Sequence, residues 1–355
     1  MRVALVGLPG GGKTTLYNAL AEKPVEPLPG VPGAPPHVVT VPLRDERLEW
    51  LRDLFQPKKY TPASLLVEDH PGIPPGSAKA DRRGELFARM RNADGLAVVL
   101  RAFASDRYDY ADPAPVPSRD LDLVALEFLT ADLEICERRL ERLAEEWKRP
   151  QDRERVERER AAVERMRERL LAGRGAFAAE LRPDEQKLVR GFQLLTGKPV
   201  VLVTNLPEGG GEAPLATPAL DVRAAFHACV ALEADLAALE GEERALFLES
   251  YGLTAPLRDR FVLACYRGLG LQPFFTVGED EVKAWTIREG ETAVEAAGRI
   301  HTDLAKGFIK GEVTAYEDLR AAGSLRELKA RGKQRLEGKD YVLRDGDIFH
   351  VRSSL

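Results

Sequence analysis

The 355-residue sequence predicts an α/β fold: a mostly parallel sheet with a phosphate-binding loop, an inserted helical hairpin, and a small α+β domain at the end. Three observations predict it. Short apolar runs alternate with helical or glycine- and proline-rich stretches through residues 1–110, the pattern of strands joined by crossover helices. The run Gly7-Leu8-Pro9-Gly10-Gly11-Gly12-Lys13-Thr14-Thr15 lies between the first apolar run and a helical one. A leucine-rich seam with spacings of three and four begins near Leu121.

Arg2–Val6 is the first expected strand. The glycine run behind it fits G-x-x-x-x-G-K-[ST], in the strand–loop–helix setting that this motif requires. Glycines let backbone N–H groups turn inward around a phosphate and let it approach closely. The helix that follows, Thr15–Leu20, aims its N-terminal dipole at the same anion. Lys13 can reach the β- and γ-phosphates, and the Thr14 hydroxyl can ligate Mg²⁺. Pro24 to Pro36 is dense in proline and glycine and reads as a surface loop. Further strands are expected at Val38–Pro42, Ser64–Glu68, Gly95–Leu100 and Pro199–Thr204.

Asp69-His70-Pro71-Gly72 follows the third of these strands. D-x-x-G at that place is the switch element of GTPase-like proteins: the Asp helps hold Mg²⁺, and the Gly N–H bonds the γ-phosphate. Next comes the seam of Leu126, Leu129, Leu133, Cys136, Leu140, Leu143 and Trp147, stopped by Pro150. Val156, Val163, Met166 and Leu170 form the stripe of a second helix. The pair reads as an antiparallel hairpin over 121–171, with its charges on a solvated face. The spacing establishes packing and leaves a partner-docking role open.

Asn205-Leu206-Pro207-Glu208 stands where GTPases carry N-K-x-D, whose Asp accepts from guanine N1–H and the 2-amino group. Glu208 in the Asp position weakens the case for guanine. Adenine offers an N6 donor and lacks the 2-amino group, and Leu206 can cover a base face. The short run His227–Ala231 precedes a helical stretch, Leu232–Leu239. From about Gln272 the pattern changes: a strand at Lys283–Ile287, a helix at Thr292–Ile300, and two strands around Asp345-Gly346 within Tyr341–Val351.

The formal net charge of −5 excludes a global basic field and argues against DNA binding. Cys136, Cys229 and Cys265 are far apart and odd in number, which fits neither a disulfide framework nor a zinc site. The five histidines do not pair at metal-ligand spacing. No apolar run approaches a membrane span, and the start, directly on a strand, reads as free of a secretory leader. A cytoplasmic protein is expected.

Together these residues resemble the YchF-type, Obg-like ATPases of the translation-factor GTPase class, in order and along nearly the whole chain. The P-loop begins Gly7-Leu8-Pro9, the base motif has Asn205 and Glu208, and a helical arm is inserted. The C-terminal stretch resembles a TGS domain in Ala284-Trp285-Thr286, Ile300-His301-Thr302-Asp303, Lys306-Gly307-Phe308-Ile309, Ala315-Tyr316-Glu317-Asp318 and Leu336-Glu337-Gly338-Lys339-Asp340-Tyr341. The resemblance implies a P-loop NTPase domain over 1–120 and 172–271, a coiled-coil insertion over 121–171, and a β-grasp-like TGS domain over 272–355. It implies a cytosolic protein that binds ATP, often better than GTP, with Mg²⁺, hydrolyses it slowly, and meets the ribosome through the TGS domain and the arm; a monomer is expected, though the sequence does not fix oligomeric state. Carried over residue by residue, nucleotide contacts fall on Pro9, Gly10, Gly11, Gly12, Lys13, Thr14, Thr15, Asn205, Leu206, Glu208, Cys229 and Val230. The metal falls on Thr14 and Asp69, and catalytic roles fall on Lys13 and Gly72.

The chain also departs from the family's pattern. Gly10 replaces an Asn linked to potassium binding, so potassium stimulation is not expected. Gly33 stands where the first switch carries a metal-closing Thr, with His37 and Thr40 nearby but out of register. Ala80 and Arg82 replace glycines of the second switch. Ile73 follows D-x-x-G where many GTPases place a water-orienting Gln. Tyr110 holds the position of a proposed catalytic His, and a phenol of pKa about 10 is a poor base at neutral pH. Such changes cost rate rather than binding, because catalysis in this class is mostly positioning and charge stabilisation. Three readings remain: a slow ATPase switch, a GTPase of the same architecture, and a nucleotide-binding module with little turnover.

Overall fold

The computed structural model describes residues 1–21, 23–26, 35–74, 80–104, 115–148, 153–211, 215–237, 239 and 241–354, with the backbone alone at 80–83 and 237. Its strands, in chain order, are β1 (Arg2–Val6), β2 (His37–Pro42), β3 (Lys59–Thr61), β4 (Ser64–Asp69), β5 (Gly95–Arg101), β6 (Pro199–Asn205), β7 (Asp221–Ala228), β8 (Leu271–Thr276), β9 (Glu281–Arg288), β10 (Phe308–Thr314), β11 (Arg335–Glu337) and β12 (Ile348–Ser353). The chain divides into two compact units. One is Arg2–Thr40 with Leu66–Leu269; the other is Met1, Val41–Leu65 and Gly270–Leu355.

The sheet of the first unit has the order β2-β4-β1-β5-β6-β7. β1 runs parallel to β4 and β5, and β6 runs parallel to β5 and β7. All of β5 is buried, as is β1 from Val3 onward. Continuous apolar burial is what a parallel strand needs when both faces are covered. The five expected strands are all present, β1 with the expected ends. At β4 and β6 the strand runs one residue further, to Asp69 and Asn205. Both side chains thereby lie at the carboxyl edge of the sheet, beside the glycine loop that leaves β1. Ligand sites of open α/β sheets form at that edge.

The arm differs from its expected form. Its helices are Pro117–Glu146 and Arg153–Leu171. The first half of the longer helix is core rather than seam: Leu121, Val124, Ala125 and Phe128 pack with Leu96, Val98 and Leu100 of β5 and Val200 and Leu202 of β6. The stripe facing the sheet displaces the expected one, so Leu126 is 58% exposed. Only from Leu129 onward do the two helices share a core, Cys136 and Leu143 meeting Val156, Val163, Met166 and Leu170. Trp147 lies past the helix end, with the Arg153 guanidinium 5.7 Å from its ring. Asp132 pins the helix to the sheet unit: it is buried, accepts from Leu195 N (3.1 Å), Thr196 N (2.8 Å) and Thr196 Oγ1 (2.8 Å), and pairs with Arg91 (2.8 Å).

The second unit holds a sheet of order β11-β10-β12-β8-β9-β3. Residues 41–65, expected in the first domain, belong to it. β3 adds to the edge parallel to β9, and helix Glu46–Phe55 sets Trp50 edge-on to Tyr316 at 5.5 Å. Arg47 forks onto Asp345 at 2.9 and 3.0 Å. A three-residue strand gives no periodicity to read, so this pairing was invisible in the sequence. The expected helix near Thr292 runs Ala293–Ile300 and is capped by Thr292 with Glu295. Tyr341–Val351 was expected to hold two strands, but only β12 forms. Val342 contributes a single bridge to Thr292. The Asp347 carboxylate instead accepts from Arg344 N and Tyr341 Oη, both at 3.0 Å, and closes a loop where a ladder was expected. The helix expected at Leu232–Leu239 spans Val230–Ala237.

Residues 27–34 of the proline-rich loop, with Gly33, lie outside the described residues, as does Tyr110; Ala80 and Arg82 are described by backbone alone, in helix Ala80–Met90. No helix among the described residues is long and apolar enough to cross a membrane. All three cysteines are free.

Candidate functional site

The glycine loop turns from β1 into helix Lys13–Leu20, which starts two residues before the expected Thr15. Gly12 is its N-cap at φ +92°, a left-handed conformation that favours glycine, and a Cβ there would collide with Asn205 Nδ2. No side chain caps this helix. Its first N–H groups, at Lys13, Thr14 and Thr15, therefore have the free donors and positive dipole end that bind an anion.

Lys13 folds back under the loop, its Nζ donating to Leu8 O (2.9 Å) and Gly7 O (3.2 Å). It is 6% exposed. Burial pushes its pKa down to about 8, against the opposing pull of Asp69. A buried ammonium held, among the described residues, by two carbonyls gains more from phosphate oxygens than an already solvated one would.

The Thr14 hydroxyl donates to Asp69 Oδ2 at 2.7 Å. Burial raises the Asp69 pKa, opposed by the Thr14 hydrogen bond and then by the charges of Lys13, His37 and His70. Asp69 Oδ1 is buried and has no hydrogen-bond partner. A hydroxyl that gives its proton to Asp69 keeps its lone pairs, and Asp69 keeps a second buried oxygen. Such hard oxygen donors fit Mg²⁺. Among the described residues no cluster of three or more His, Cys, Asp or Glu could hold a metal by itself. A cation here would need further oxygens, which bound phosphates have.

Gly72 packs against the loop. A Cβ on it would lie 2.7 Å from Pro9 N and 2.8 Å from Pro9 Cα. Ile73, next in line, is fully buried and donates its N–H to Gly7 O at 3.0 Å. His70 is buried with Nε2 3.2 Å from Glu68 Oε2. His37 opens β2 with Nδ1 3.9 Å from Asp69 Oδ2.

Asn205 ties the far side of the site to the loop. Its Nδ2 donates to Gly11 O (3.3 Å), and its Oδ1 accepts from Val230 N (3.2 Å). Leu206 N donates to Ala228 O (2.9 Å), which sets the turn after β6 beside the end of β7 and the half-buried Cys229. Glu208 is exposed and accepts from Tyr251 Oη at 3.4 Å. Tyr251 and His37 were not assigned from sequence. Nothing near Tyr251 signals a partner 43 residues earlier. His37 directly precedes the expected strand Val38–Pro42, and the sheet order, which the sequence does not show, sets that strand beside β4 and its last residue, Asp69.

Comparison with known proteins finds relatives along the whole chain. A family model described as "50S ribosome-binding GTPase" matches residues 2–130. A second, YchF-GTPase_C, described as "Protein of unknown function (DUF933)", matches residues 271–354. The Bacillus subtilis protein named "Ribosome-binding ATPase YchF" is 36% identical over 366 residues, covering 99% of each chain. The rice (Oryza sativa subsp. japonica) "Obg-like ATPase 1" is 32% identical over 364 residues, covering 99% of this chain and 92% of its own. The solved structure of the Schizosaccharomyces pombe YchF GTPase superposes with a TM-score of 0.79 at 28% identity, covering 99% of this chain and 97% of that one. Relatives 32% and 36% identical, matched along nearly the whole of both chains, show the family: the chain belongs to the YchF family of P-loop NTPases.

Proposed function

We propose that this chain is a slow ATPase that acts as a regulatory switch at the ribosome. One observation carries the reading: Lys13, Thr14 and Asp69 converge at the loop with a buried ammonium of lowered pKa and a carboxylate oxygen lacking any partner. A Mg²⁺–triphosphate satisfies both at once. When bound, Mg²⁺ neutralises charge on the β- and γ-phosphate oxygens. Thr14 and Asp69 would hold it, and Lys13 would turn from the Leu8 and Gly7 carbonyls to the phosphates. The N–H groups at the start of helix Lys13–Leu20 would cradle the β-phosphate.

The Gly72 N–H would sense the γ-phosphate. Because Gly72 abuts Pro9, loss of that phosphate would be felt in the loop and in the segment after β4. The base would meet Leu206 and Glu208, with Cys229 and Val230 along the adjoining turn. Tyr251 already engages one Glu208 oxygen, which leaves the other better placed to meet a base. Adenine needs one acceptor for its N6 donor, whereas guanine's N1–H and 2-amino pair needs two. The printed name of the Bacillus subtilis relative, a ribosome-binding ATPase, supports both base and partner.

Ile73 favours a second reading, a binding module with little turnover: the residue after D-x-x-G is apolar and buried and cannot orient water. Co-sedimentation with ribosomes in ATP and in ADP, with phosphate release on the same samples, tests the proposal. Different retention in the two nucleotides, with slow release, is expected. Equal retention would sink the switch, and release at background would favour the module.

A further inference from the structure

We propose that His37 supplies an imidazole nitrogen to the divalent cation held by Thr14 and Asp69, which tilts the site from Mg²⁺ toward cations that accept nitrogen. The inference rests on the nucleotide reading above. His37 Nδ1 is buried and has no hydrogen-bond partner among the described residues. It lies 3.9 Å from Asp69 Oδ2, the oxygen that accepts the Thr14 proton. That distance is too long for a hydrogen bond. Asp69 itself is 1% exposed, and its Oδ1 is also without a partner. The Asp69 carboxylate thus has the Thr14 hydroxyl and the unpartnered His37 nitrogen beside its Oδ2, and its own Oδ1 is unpartnered too. Buried polar atoms are seldom left unpaired, and an absent ion is a recognised reason when they are.

The ring is set there by the fold. His37 is the first residue of β2, next to β4 in the sheet, and its ring packs on Tyr17 of helix Lys13–Leu20 at 5.8 Å and 46°. A neutral imidazole is a good ligand for borderline first-row cations and a poor one for Mg²⁺, which demands hard oxygens. A site of two oxygen groups and one imidazole should bind Co²⁺, and to a smaller degree Mn²⁺, better relative to Mg²⁺ than an all-oxygen site.

Full-length protein carrying ¹⁵N-histidine is loaded with ATP and Mn²⁺ and examined by pulsed electron paramagnetic resonance. A ¹⁵N-histidine coupling to Mn²⁺ is expected, lost in His37→Ala and in the size-preserving His37→Asn. Calorimetric titration of the ATP complex with Co²⁺ and Mg²⁺ is the second readout. The Co²⁺/Mg²⁺ affinity ratio should fall by about tenfold in either variant. ATP binding by native protein without histidine coupling overturns the proposal, as does an unchanged ratio in a folded variant. If native protein does not bind ATP at all, the nucleotide reading fails and takes this one with it. The native-protein coupling decides the matter should both variants fail to fold.

Discussion

The Thr14 hydroxyl and the Asp69 carboxylate are joined by a 2.7 Å hydrogen bond, although 55 residues separate them in sequence. The bond links the first turn of the phosphate-loop helix to the last residue of β4. Both residues sit at the edge where β1 and β4 run side by side, with Leu5 paired to Asp69. Parallel pairing alone brings the glycine loop and Asp69 together. The site is thus a consequence of sheet topology, completed by residue choice.

Gly72 should tolerate no side chain. The added methyl of Gly72→Ala meets backbone atoms of Pro9 at 2.7 and 2.8 Å, so the loop must shift. Overpacking of this kind costs about 1–3 kcal/mol. Thermal unfolding should register that loss. On the proposed reading, in which the Gly72 N–H meets the γ-phosphate, ATP affinity should fall more than ADP affinity. Equal losses for the two nucleotides would count against Gly72 as the phosphate sensor.

Glu208 and Tyr251 should govern base choice together. Removing the phenol in Tyr251→Phe frees Glu208 Oε1 and should move the ATP/GTP affinity ratio toward GTP by several-fold, on the order of one ordinary exposed hydrogen bond. Glu208→Asp should move it in the same direction. Parallel titrations with both nucleotides read this, and ratios unchanged in both variants would mean that the base is read elsewhere.

Much of this was legible beforehand, and the reasons are specific. The run from Gly7 to Thr15 encodes its loop through residue types that few other structures demand. Asp69 and Asn205 were found because each follows an unmistakable buried strand. The chain was harder to read where tertiary packing overrides local pattern. Leu126 fits a heptad seam, yet the helix there turns its Leu121, Val124 and Phe128 stripe to the sheet. Tyr341-Val342-Leu343 looks like a strand, but Asp347 closes it into a loop. β3 and Tyr251 owe their places to partners distant in sequence, and a single sequence carries no mark of those pairings.

The base of the arm should be acid-sensitive through Glu185. Its carboxylate is buried and held by Arg165 at 2.5 Å and by Arg182 N at 2.9 Å. The Arg165 bond, foremost, pulls its pKa from 4.5 down to about 2. The unfolded chain binds that proton more readily, so this contribution is fully present above pH 4.5 and is lost as pH falls toward 2. Glu185→Gln should therefore lower the unfolding temperature above pH 4.5 and close the gap to native protein below it. A gap that stays constant between pH 5 and pH 2.5, to choose about half a unit on either side, would remove Glu185 as the cause.

The central claim is that Lys13, Thr14 and Asp69 form a working triphosphate site that prefers adenine. The direct measurement is titration of native protein and Lys13→Ala with ATP and GTP in Mg²⁺, with phosphate release followed on the same samples. Native protein is expected to bind ATP more tightly than GTP and to release phosphate slowly. Lys13→Ala is expected to lose roughly 1.5–3 kcal/mol of ATP affinity with its charged hydrogen bonds. Native protein that binds neither nucleotide, or a Lys13→Ala variant that binds ATP as tightly as native, would contradict the account.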